Sequence, residues 1–321
     1  MEGLRRYDIH GCLVVETNMR RAEIPRYFMV KEDVRPDIRI LEGKIDVETG
    51  PLRPLGLRLF VGDNVLVHKC LSFMDLRLVL KDLLGLRGPT EVIFNKPYRL
   101  FRELVHRKSI WSFLKLIIMV RLLASAGLTF VHASSVAVDG RAFLFSGWSD
   151  VGKTTTAVEL VRAGGGAVAY MADDTTIVGR KGLVLSWPTI PRKVARPFER
   201  IPLLRRLVVR GELLLPPGAK KEPRAEVSRV FFLTSGPRRR PRKLDQEEAL
   251  KKLLLATDMA FNFSSDLLLL AYSYADPSFD ILSLRDKHIE VLRDLASRAE
   301  CIELRAPGPK GFVEQAKAFL G

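Results

Sequence analysis

Short stretches of alternating or continuous apolar residues dominate the first third of the chain, and apolar residues at helical spacing become frequent after it. Three β-rich runs predict strands, at residues 11–16, 57–61 and 64–68. The spacing of residues 73–84 predicts a helix. The longest apolar stretch, residues 110–126, contains Lys115 and Arg121. Because this stretch is too short and too charged to span a bilayer, it predicts a buried helix.

Strands and helices also alternate in the C-terminal part of the chain. The pattern predicts strands at residues 227–233 and 301–304 and helices at 245–256, 286–299 and 311–320. Together with the central part of the chain, these elements predict an α/β domain that is separate from the β-rich N-terminal part.

A glycine-rich loop follows the apolar run at residues 142–145 and precedes an amphipathic helix. The pattern G-x-x-x-x-G-K-[ST] is filled by Gly147, Gly152, Lys153 and Thr154. Glycines allow a tight loop whose N–H groups face an anion, the lysine reaches the terminal phosphates, and the threonine hydroxyl can bind Mg²⁺. The sequence therefore predicts that a nucleoside triphosphate contacts Gly147, Trp148, Ser149, Asp150, Val151, Gly152, Lys153, Thr154 and Thr155.

A β-hairpin is predicted immediately before this loop. Asp139 and Gly140 separate two apolar runs, and Asp-Gly is a strong hairpin signal. The expected cross-strand pairs are Val138 with Arg141, Val136 with Phe143, and His132 with Gly147. His132 is thus expected beside the phosphate loop. Contact with substrate or phosphate and simple packing are equal alternatives for its role.

Two adjacent carboxylates follow the next predicted strand. A helix over residues 152–163, a turn of three glycines and a strand over residues 167–172 return the chain to the level of the phosphates. Asp173 and Asp174 are then expected near the triphosphate. Two adjacent carboxylates at the end of a buried strand are energetically costly, and a bound metal ion or a proton-transfer role would account for that cost. The alternative is that they only cap a turn. Because Glu usually follows the strand-end Asp in water-activating ATPases, a second Asp favours transfer to a hydroxyl.

These motifs resemble the catalytic core of the HPr kinase/phosphorylase family, which shares its nucleotide core with phosphoenolpyruvate carboxykinase. The matching elements are His-Ala-Ser-Ser-Val-Ala-Val-Asp-Gly at residues 132–140, the phosphate loop, the helix ending at Arg162, and Ala172-Asp173-Asp174. They occur in the family's order and cover about residues 128–180.

The resemblance implies ATP-dependent phosphorylation of a serine hydroxyl by a P-loop kinase domain with a β-hairpin leading into the P-loop. At matching positions, Asp173 would be the general base, Asp174 and Thr154 would hold Mg²⁺, and Lys153 would serve the β- and γ-phosphates. His132 would lie near the acceptor. The resemblance is also compatible with a homo-oligomer.

Two departures separate this chain from HPr kinases proper. The phosphate loop continues Lys153-Thr154-Thr155, where those enzymes tend to have Lys-Ser-Glu. No segment like Glu-Ile-Arg-Gly-Leu-Gly occurs between residues 180 and 229. HPr is therefore not the expected substrate, and the reverse phosphorolysis stays open. We expect a serine that is free, in a peptide or in another protein.

The predicted organisation is an N-terminal α/β module of unknown role at residues 1–108 and a kinase domain at residues 109–321. With 321 residues and 47% hydrophobic residues, the chain is long enough to bury the cores of two domains. Its three cysteines, far apart in sequence and without metal-like neighbours, predict neither a disulfide framework nor a zinc site. The N-terminus lacks the apolar core of a signal peptide, so we expect a cytoplasmic protein. Only six Asn and Gln beside many Arg and Glu favour a heat-loving source.

The net charge of +15 is concentrated in one segment. Residues 192–243 contain sixteen Lys or Arg and four Asp or Glu. Arg192, Lys193 and Arg196 follow the carboxylates closely and are expected to contact the acceptor or the transferring phosphoryl group. For residues 238–243, an Arg-rich run flanked by prolines, solvated loops are the favoured interpretation.

Two other functions remain open. A P-loop NTPase or nucleotide switch would release phosphate without an acceptor. An RNA-binding or RNA-modifying kinase would use the basic segment 192–243, although no aromatic-interleaved binding motif accompanies it. Nucleic acid is thus a disfavoured partner, and a membrane is not expected.

Overall fold

A computed structural model describes residues 3–20, 22–47, 50–71, 74–106, 109–189, 215–263 and 265–320. Contacts divide the chain into two compact units: Met1–Ala126 with Phe261–Lys287, and Gly127–Ala260 with His288–Gly321. The helix at residues 110–126, which the sequence interpretation assigned to the kinase domain, belongs to the first unit in this division. The predicted division into an N-terminal module ending at residue 108 and a kinase domain beginning at residue 109 stays a prediction.

The first unit is built on a mixed sheet. Its strands are β1 (Arg5–Ile9), β2 (Leu13–Thr17), β3 (Met29–Val30), β4 (Ile38–Glu42), β5 (Arg53–Pro54), β6 (Leu59–Gly62), β7 (Val65–Lys69), β8 (Arg77–Lys81) and β9 (Thr90–Phe94). The strand order is β3-β1-β2-β4-β9-β8-β7-β6-β5, with β2, β4 and β9 parallel. The three strands predicted in this region are confirmed with shifted ends.

The helix predicted at residues 73–84 is wrong, because β8 occupies this stretch. Leu78, Val79 and Leu80 are all fully buried in the strand. A strand covered on both faces shows a continuous apolar run rather than alternation, and such a run cannot be distinguished from a buried helix by its period.

Helices α1 (Lys96–His106), α2 (Ile110–Ala126) and α5 (Leu267–Ala275) belong to this unit. α2 is the predicted buried helix, and its Arg121 donates a hydrogen bond to the carbonyl oxygen of Leu84. This internal partner explains how a guanidinium group fits into a buried helix. Within the described residues, no helix alone has the length and apolar composition needed to cross a membrane. α1 and α2 meet that criterion only jointly, across a bend of 104°.

The second unit also contains a mixed sheet. Its strands are β10 (Thr129–Val131), β11 (Ala133–Val138), β12 (Arg141–Gly147), β13 (Val168–Ala172), β14 (Thr176–Val178), β15 (Leu183–Leu185), β16 (Arg224–Ser235), β17 (Arg242–Lys243) and β18 (Glu300–Ala306). β12, β16 and β18 are parallel neighbours in that order. β11 pairs antiparallel with both β12 and β13, so β13 runs in the same direction as β12. The loops that follow these four strands therefore lie at one edge of the sheet.

Helices α3 (Lys153–Ala163), α4 (Gln246–Phe261), α6 (Ile281–Arg298) and α7 (Pro309–Lys317) complete the part of this unit that the structure describes. The last residue of α4 and the first seven residues of α6 lie in the segment assigned to the first unit. Apolar residues of α3 and α7 share one buried cluster with β12, β16 and β18, in which the rings of Phe145 and Phe231 stack at 5.2 Å. This packing fixes the start of α3 against the edge where the four strands end.

The chain enters β12 through a tight hairpin. Val138 lies opposite Arg141 and Val136 opposite Phe143, the partners that the sequence predicts. Both turn residues, Asp139 and Gly140, have positive φ angles of 48° and 73°. Two left-handed residues match the twist of the flanking strands, which makes this turn well suited to a two-residue hairpin.

Candidate functional site

The loop between β12 and α3 has a backbone that requires glycine at both ends. Gly147 and Gly152 have φ angles of 151° and 106°. A Cβ atom on Gly152 would lie 2.7 Å from Cγ of Pro309, and one on Gly147 would lie 2.8 Å from the carbonyl oxygen of Leu233. Because both the angles and the space exclude side chains, these glycines hold the loop against β16 and α7.

Lys153 lies under this loop and is only 4% exposed. Its Nζ donates hydrogen bonds to the carbonyl oxygens of Gly147 and Trp148, at 3.2 and 3.0 Å. Nζ also lies 3.9 Å from Oδ1 of Asp174. Burial lowers the pKa of Lys153, and the nearby carboxylates oppose this change. The ammonium group is thus positioned at the start of α3, where an anion is favoured by the helix dipole.

Asp173 follows β13 and faces the start of α3. Its Oδ1 accepts a hydrogen bond from Oγ1 of Thr154 at 2.5 Å and one from Oγ of Ser134 at 3.3 Å. The pKa of Asp173 is raised to about 6. Burial away from water is the larger cause, and the negative charge of Asp174 is the second. The two hydroxyl donors and Lys153 act in the opposite direction. A carboxyl group with this pKa can exchange a proton near neutral pH.

The backbone of Asp174 is held in a left-handed conformation with φ 53°. Its carbonyl oxygen lies 2.9 Å from Nδ1 of His132, which therefore carries the donated proton. Its N–H donates to Oγ of Ser134 at 3.5 Å. The Asp174 side chain is 58% exposed, whereas the Lys153 side chain that it approaches is only 3% exposed. His132, at 8% exposure, fixes the backbone beneath this carboxylate.

The remaining predicted loop residues lie in different environments. The Trp148 side chain is 65% exposed. Oγ of Ser149 lies 3.9 Å from Sδ of Met259, Asp150 adopts a left-handed φ of 61°, and Val151 packs on the apolar cluster under α3. Thr155 is exposed. Exposed side chains beside a buried lysine leave the open face of the loop available to a ligand.

Sequence reasoning missed three hydroxyl groups around Asp173 and His132. Ser134 bonds Asp173, Thr189 donates from Oγ1 to the carbonyl oxygen of Asp173 at 3.5 Å, and Oγ1 of Thr257 accepts from the His132 N–H at 3.3 Å. Ser134 lies in the strand next to β13, so the pairing of β11 with β13 was the signal that could have identified it.

The basic segment is only partly described. Arg192, Lys193 and Arg196 lie outside the described residues, so their expected contacts stay predictions. In the described part of the segment, several Lys and Arg side chains form ion pairs with Asp or Glu of the same chain. These cations therefore contact the protein itself. These pairs are Lys220 with Glu222, Arg229 with Glu300, Arg238 with Glu314, Arg242 with Glu248 and Glu303, and Lys243 with Glu300.

The donor set suits a magnesium ion that is bound mainly through a nucleotide. No group of three or more His, Cys, Asp or Glu side chains able to hold a metal is found in the described part of the chain. Mg²⁺ in phosphoryl-transfer sites uses one or two carboxylates together with waters and phosphates. The Thr154 hydroxyl and the exposed carboxylate of Asp174 supply oxygen donors of this kind, and the hydrogen bond from Thr154 to Asp173 holds that hydroxyl in place.

The raised pKa of Asp173 predicts a pH-dependent contribution to stability. Because the folded-state pKa of about 6 exceeds the ordinary value of 3.8 for an aspartate, the stabilisation from the protonated form is complete below about pH 4. It is lost as the pH rises through about 6. From pH 5 to pH 8, the wild type is expected to lose about 1 kcal/mol of unfolding free energy relative to Asp173→Asn. Denaturant unfolding at both pH values measures this difference.

The matched control for this measurement is Asp139→Asn, the same chemical change in the hairpin turn. Asparagine tolerates the left-handed conformation there, so the control should fold as the wild type does. Because it retains Asp173, its stability should change with pH as that of the wild type does. Parallel pH curves for the wild type and Asp173→Asn would contradict the raised pKa.

Comparison with solved structures finds a weak structural likeness to a kinase/phosphatase. No protein-family model matches the chain, and no curated protein matches it. A structure of the HPr(Ser) kinase/phosphatase from Coxiella burnetii is similar over 36% of this chain and 77% of that chain, with 14% sequence identity and a TM-score of 0.25. A TM-score of this size supports no inference about activity.

Proposed function

We propose that this chain is a Mg²⁺- and ATP-dependent kinase that transfers the γ-phosphate to a hydroxyl group, that of a serine other than the serine of HPr. One observation carries the proposal: a buried ammonium group, a loop that only glycine can form and a carboxyl group of raised pKa meet at the start of one helix. Phosphoryl transfer needs positioning and charge stabilisation at one point, and this arrangement suits both.

In the proposed reaction, the acceptor oxygen attacks the γ-phosphorus. A new O–P bond forms, the bond between the γ-phosphorus and the β–γ bridging oxygen breaks, and ADP leaves with the electron pair. The proton of the acceptor hydroxyl passes to Asp173. A base with a pKa of about 6 is ionised at neutral pH and still accepts a proton in the transition state.

The other residues stabilise charge and hold the base. Lys153 and the loop N–H groups would neutralise the phosphate oxygens, as the positive end of α3 also does. Ser134 and Thr154 donate to one oxygen of Asp173, which leaves the second carboxylate oxygen to face the acceptor. Asp174 and Thr154 would hold Mg²⁺, which when bound offsets the charge of the β- and γ-phosphates. His132 would act through the backbone of Asp174.

The two alternatives make different demands on the site. A nucleotide hydrolase or switch needs a group that orients water, whereas Asp173 already has hydroxyl partners on one oxygen and a raised pKa suited to deprotonating an alcohol. An RNA-directed kinase needs free cations along a surface, but Arg229, Arg238 and Arg242 bind carboxylates. The acceptor kinase therefore has the stronger support.

The test is transfer of label from γ-labelled ATP with Mg²⁺ to separate pools of free serine, serine peptides, small hydroxy compounds, cell protein and RNA. We expect label in a serine-containing pool, and no such label with Asp173→Asn. The variant Asp139→Asn serves as the matched control and should retain transfer. Release of inorganic phosphate at the same rate with and without every pool would overturn the kinase assignment in favour of hydrolysis.

A further inference from the structure

An exposed tryptophan forms part of the phosphate loop. Trp148 is 65% exposed, whereas the other two tryptophans of the chain, Trp111 and Trp187, are buried. Its backbone is held in place, because its carbonyl oxygen accepts a hydrogen bond from Nζ of Lys153 at 3.0 Å. Tryptophan offers a large apolar surface for contact and is enriched where proteins bind partners. An indole ring that is open to solvent in a ligand-binding loop is therefore a candidate contact for the ligand.

Two apolar side chains of α4 accompany this tryptophan. Sδ of Met259 lies 3.9 Å from Oγ of Ser149, the residue that follows Trp148. Leu255 lies one helical turn before Met259 on the same face of α4, and it is 56% exposed. Met259 is half-buried. We call Trp148, Leu255 and Met259 the apolar wall of the site.

The apolar wall lies at the end of the site that contains the two aspartates. Nζ of Lys153, which binds the carbonyl oxygen of Trp148, also lies 3.9 Å from Oδ1 of Asp174. α4 is tied to the same end, because Oγ1 of its Thr257 accepts a hydrogen bond from the N–H of His132 at 3.3 Å. Nδ1 of His132 in turn binds the carbonyl oxygen of Asp174. In the proposed function, the wall is therefore next to the γ-phosphate and the acceptor.

This position favours the acceptor over the nucleobase as the group that contacts the wall. A ribose and two further phosphates separate the base from the γ-phosphate that Lys153 serves in the proposed reaction. The acceptor oxygen, by contrast, must come within about 3.5 Å of the γ-phosphorus. An indole ring next to the ammonium group of Lys153 is thus within reach of the groups that carry the acceptor hydroxyl.

The chemistry of the wall selects among serine acceptors. Free serine carries an ammonium group and a carboxylate beside its hydroxyl, and both lose water at a cost when an apolar surface covers them. In a polypeptide, neutral amides replace both charges, and the neighbouring residues supply further side chains. Burial of an apolar neighbour against indole, leucine and methionine removes apolar surface from water and is favourable.

We infer that the acceptor is a serine within a polypeptide, flanked by a large apolar side chain that packs on Trp148, Leu255 and Met259. The inference rests on the proposed function and narrows its acceptor. The wall determines specificity, because it contacts the residue next to the serine and takes no part in the transfer itself. Free serine and RNA lack such a side chain.

Two peptides test the inference: Gly-Gly-Leu-Ser-Leu-Gly-Gly and the same peptide with alanine in place of both leucines. We expect the wild type to phosphorylate the leucine peptide with a kcat/KM about tenfold higher, the lower end of the discrimination that an apolar contact provides. Leu255→Ala and Trp148→Ala should each reduce this preference to about threefold or less, with the affinity for Mg²⁺-ATP unchanged. Leu282→Ala changes an exposed leucine of α6 in the same way and should keep the preference.

Quenching of tryptophan fluorescence by acrylamide locates the contact without a substitution. Because Trp111 and Trp187 are buried, the quenchable signal comes from Trp148. The leucine peptide, added together with Mg²⁺ and a non-hydrolysable ATP analogue, should lower the quenching constant. The analogue alone should leave the quenching constant unchanged.

Three results would contradict the inference. Full protection of Trp148 by the analogue alone would assign the indole ring to the nucleotide. Equal kcat/KM for the two peptides, or a higher kcat/KM for free serine than for the leucine peptide, would overturn the polypeptide acceptor while the kinase assignment stands. Release of phosphate without transfer to any acceptor would instead overturn the proposed function itself.

Discussion

Asp173→Asn is expected to lower kcat for phosphoryl transfer by about a thousandfold, within the range known for removal of a general base. Asparagine keeps the shape of the side chain and accepts the hydrogen bonds from Thr154 and Ser134 through its carbonyl oxygen. It cannot take the proton of the acceptor hydroxyl. ATP affinity should stay close to that of the wild type, because the ammonium group of Lys153 and the loop remain. Single-turnover kinetics and calorimetry measure the two effects separately.

The pH profile distinguishes the base role from a structural one. The wild-type rate should rise with pH through about 6 as Asp173 ionises, since only the carboxylate accepts a proton. The residual rate of Asp173→Asn should lack this rise, whereas Asp139→Asn should retain it. A folded Asp173→Asn variant that turns over at the wild-type rate would remove Asp173 from the mechanism.

Lys153→Met is expected to weaken ATP binding at least tenfold, the order of a charge-assisted hydrogen bond. It should also lower kcat by about a hundredfold, the cost of losing one donor to the charge that develops in the transition state. Methionine fills the same space under the loop but cannot neutralise phosphate. It also leaves the carbonyl oxygens of Gly147 and Trp148 without the donor that they have in the wild type. Equilibrium binding and steady-state turnover check the two expectations.

The matched control is Lys251→Met, which removes an exposed ammonium group on α4. A general effect of charge would lower ATP affinity in both variants. A specific role of Lys153 would lower ATP affinity only in Lys153→Met. Unchanged ATP affinity in folded Lys153→Met would contradict the placement of that lysine beneath the phosphates.

Local sequence patterns were sufficient to predict several elements of the second unit. Asp139 and Gly140 predicted the hairpin because a two-residue turn needs left-handed residues, and both adopt positive φ. The spacing of Gly147, Gly152 and Lys153 predicted a tight loop before a helix, because each residue type is required within a few positions of the others. The helix predicted at residues 73–84 was wrong because its structure depends on distant parts of the chain. Burial on both faces of β8 is imposed by other parts of the chain and leaves no period to recognise.

By itself, the sequence determined the residues whose roles depend on near neighbours: the loop glycines, Lys153, Thr154 and the pair of aspartates at a strand end. Only the tertiary structure decided what surrounds them. The insertion of β11 between β12 and β13 brings Ser134 to Asp173, and the neighbouring β16 and β18 bring the arginine run to Gln315. Such contacts join residues far apart in the chain. Their geometry follows from strand pairing and helix packing, which no local spacing encodes.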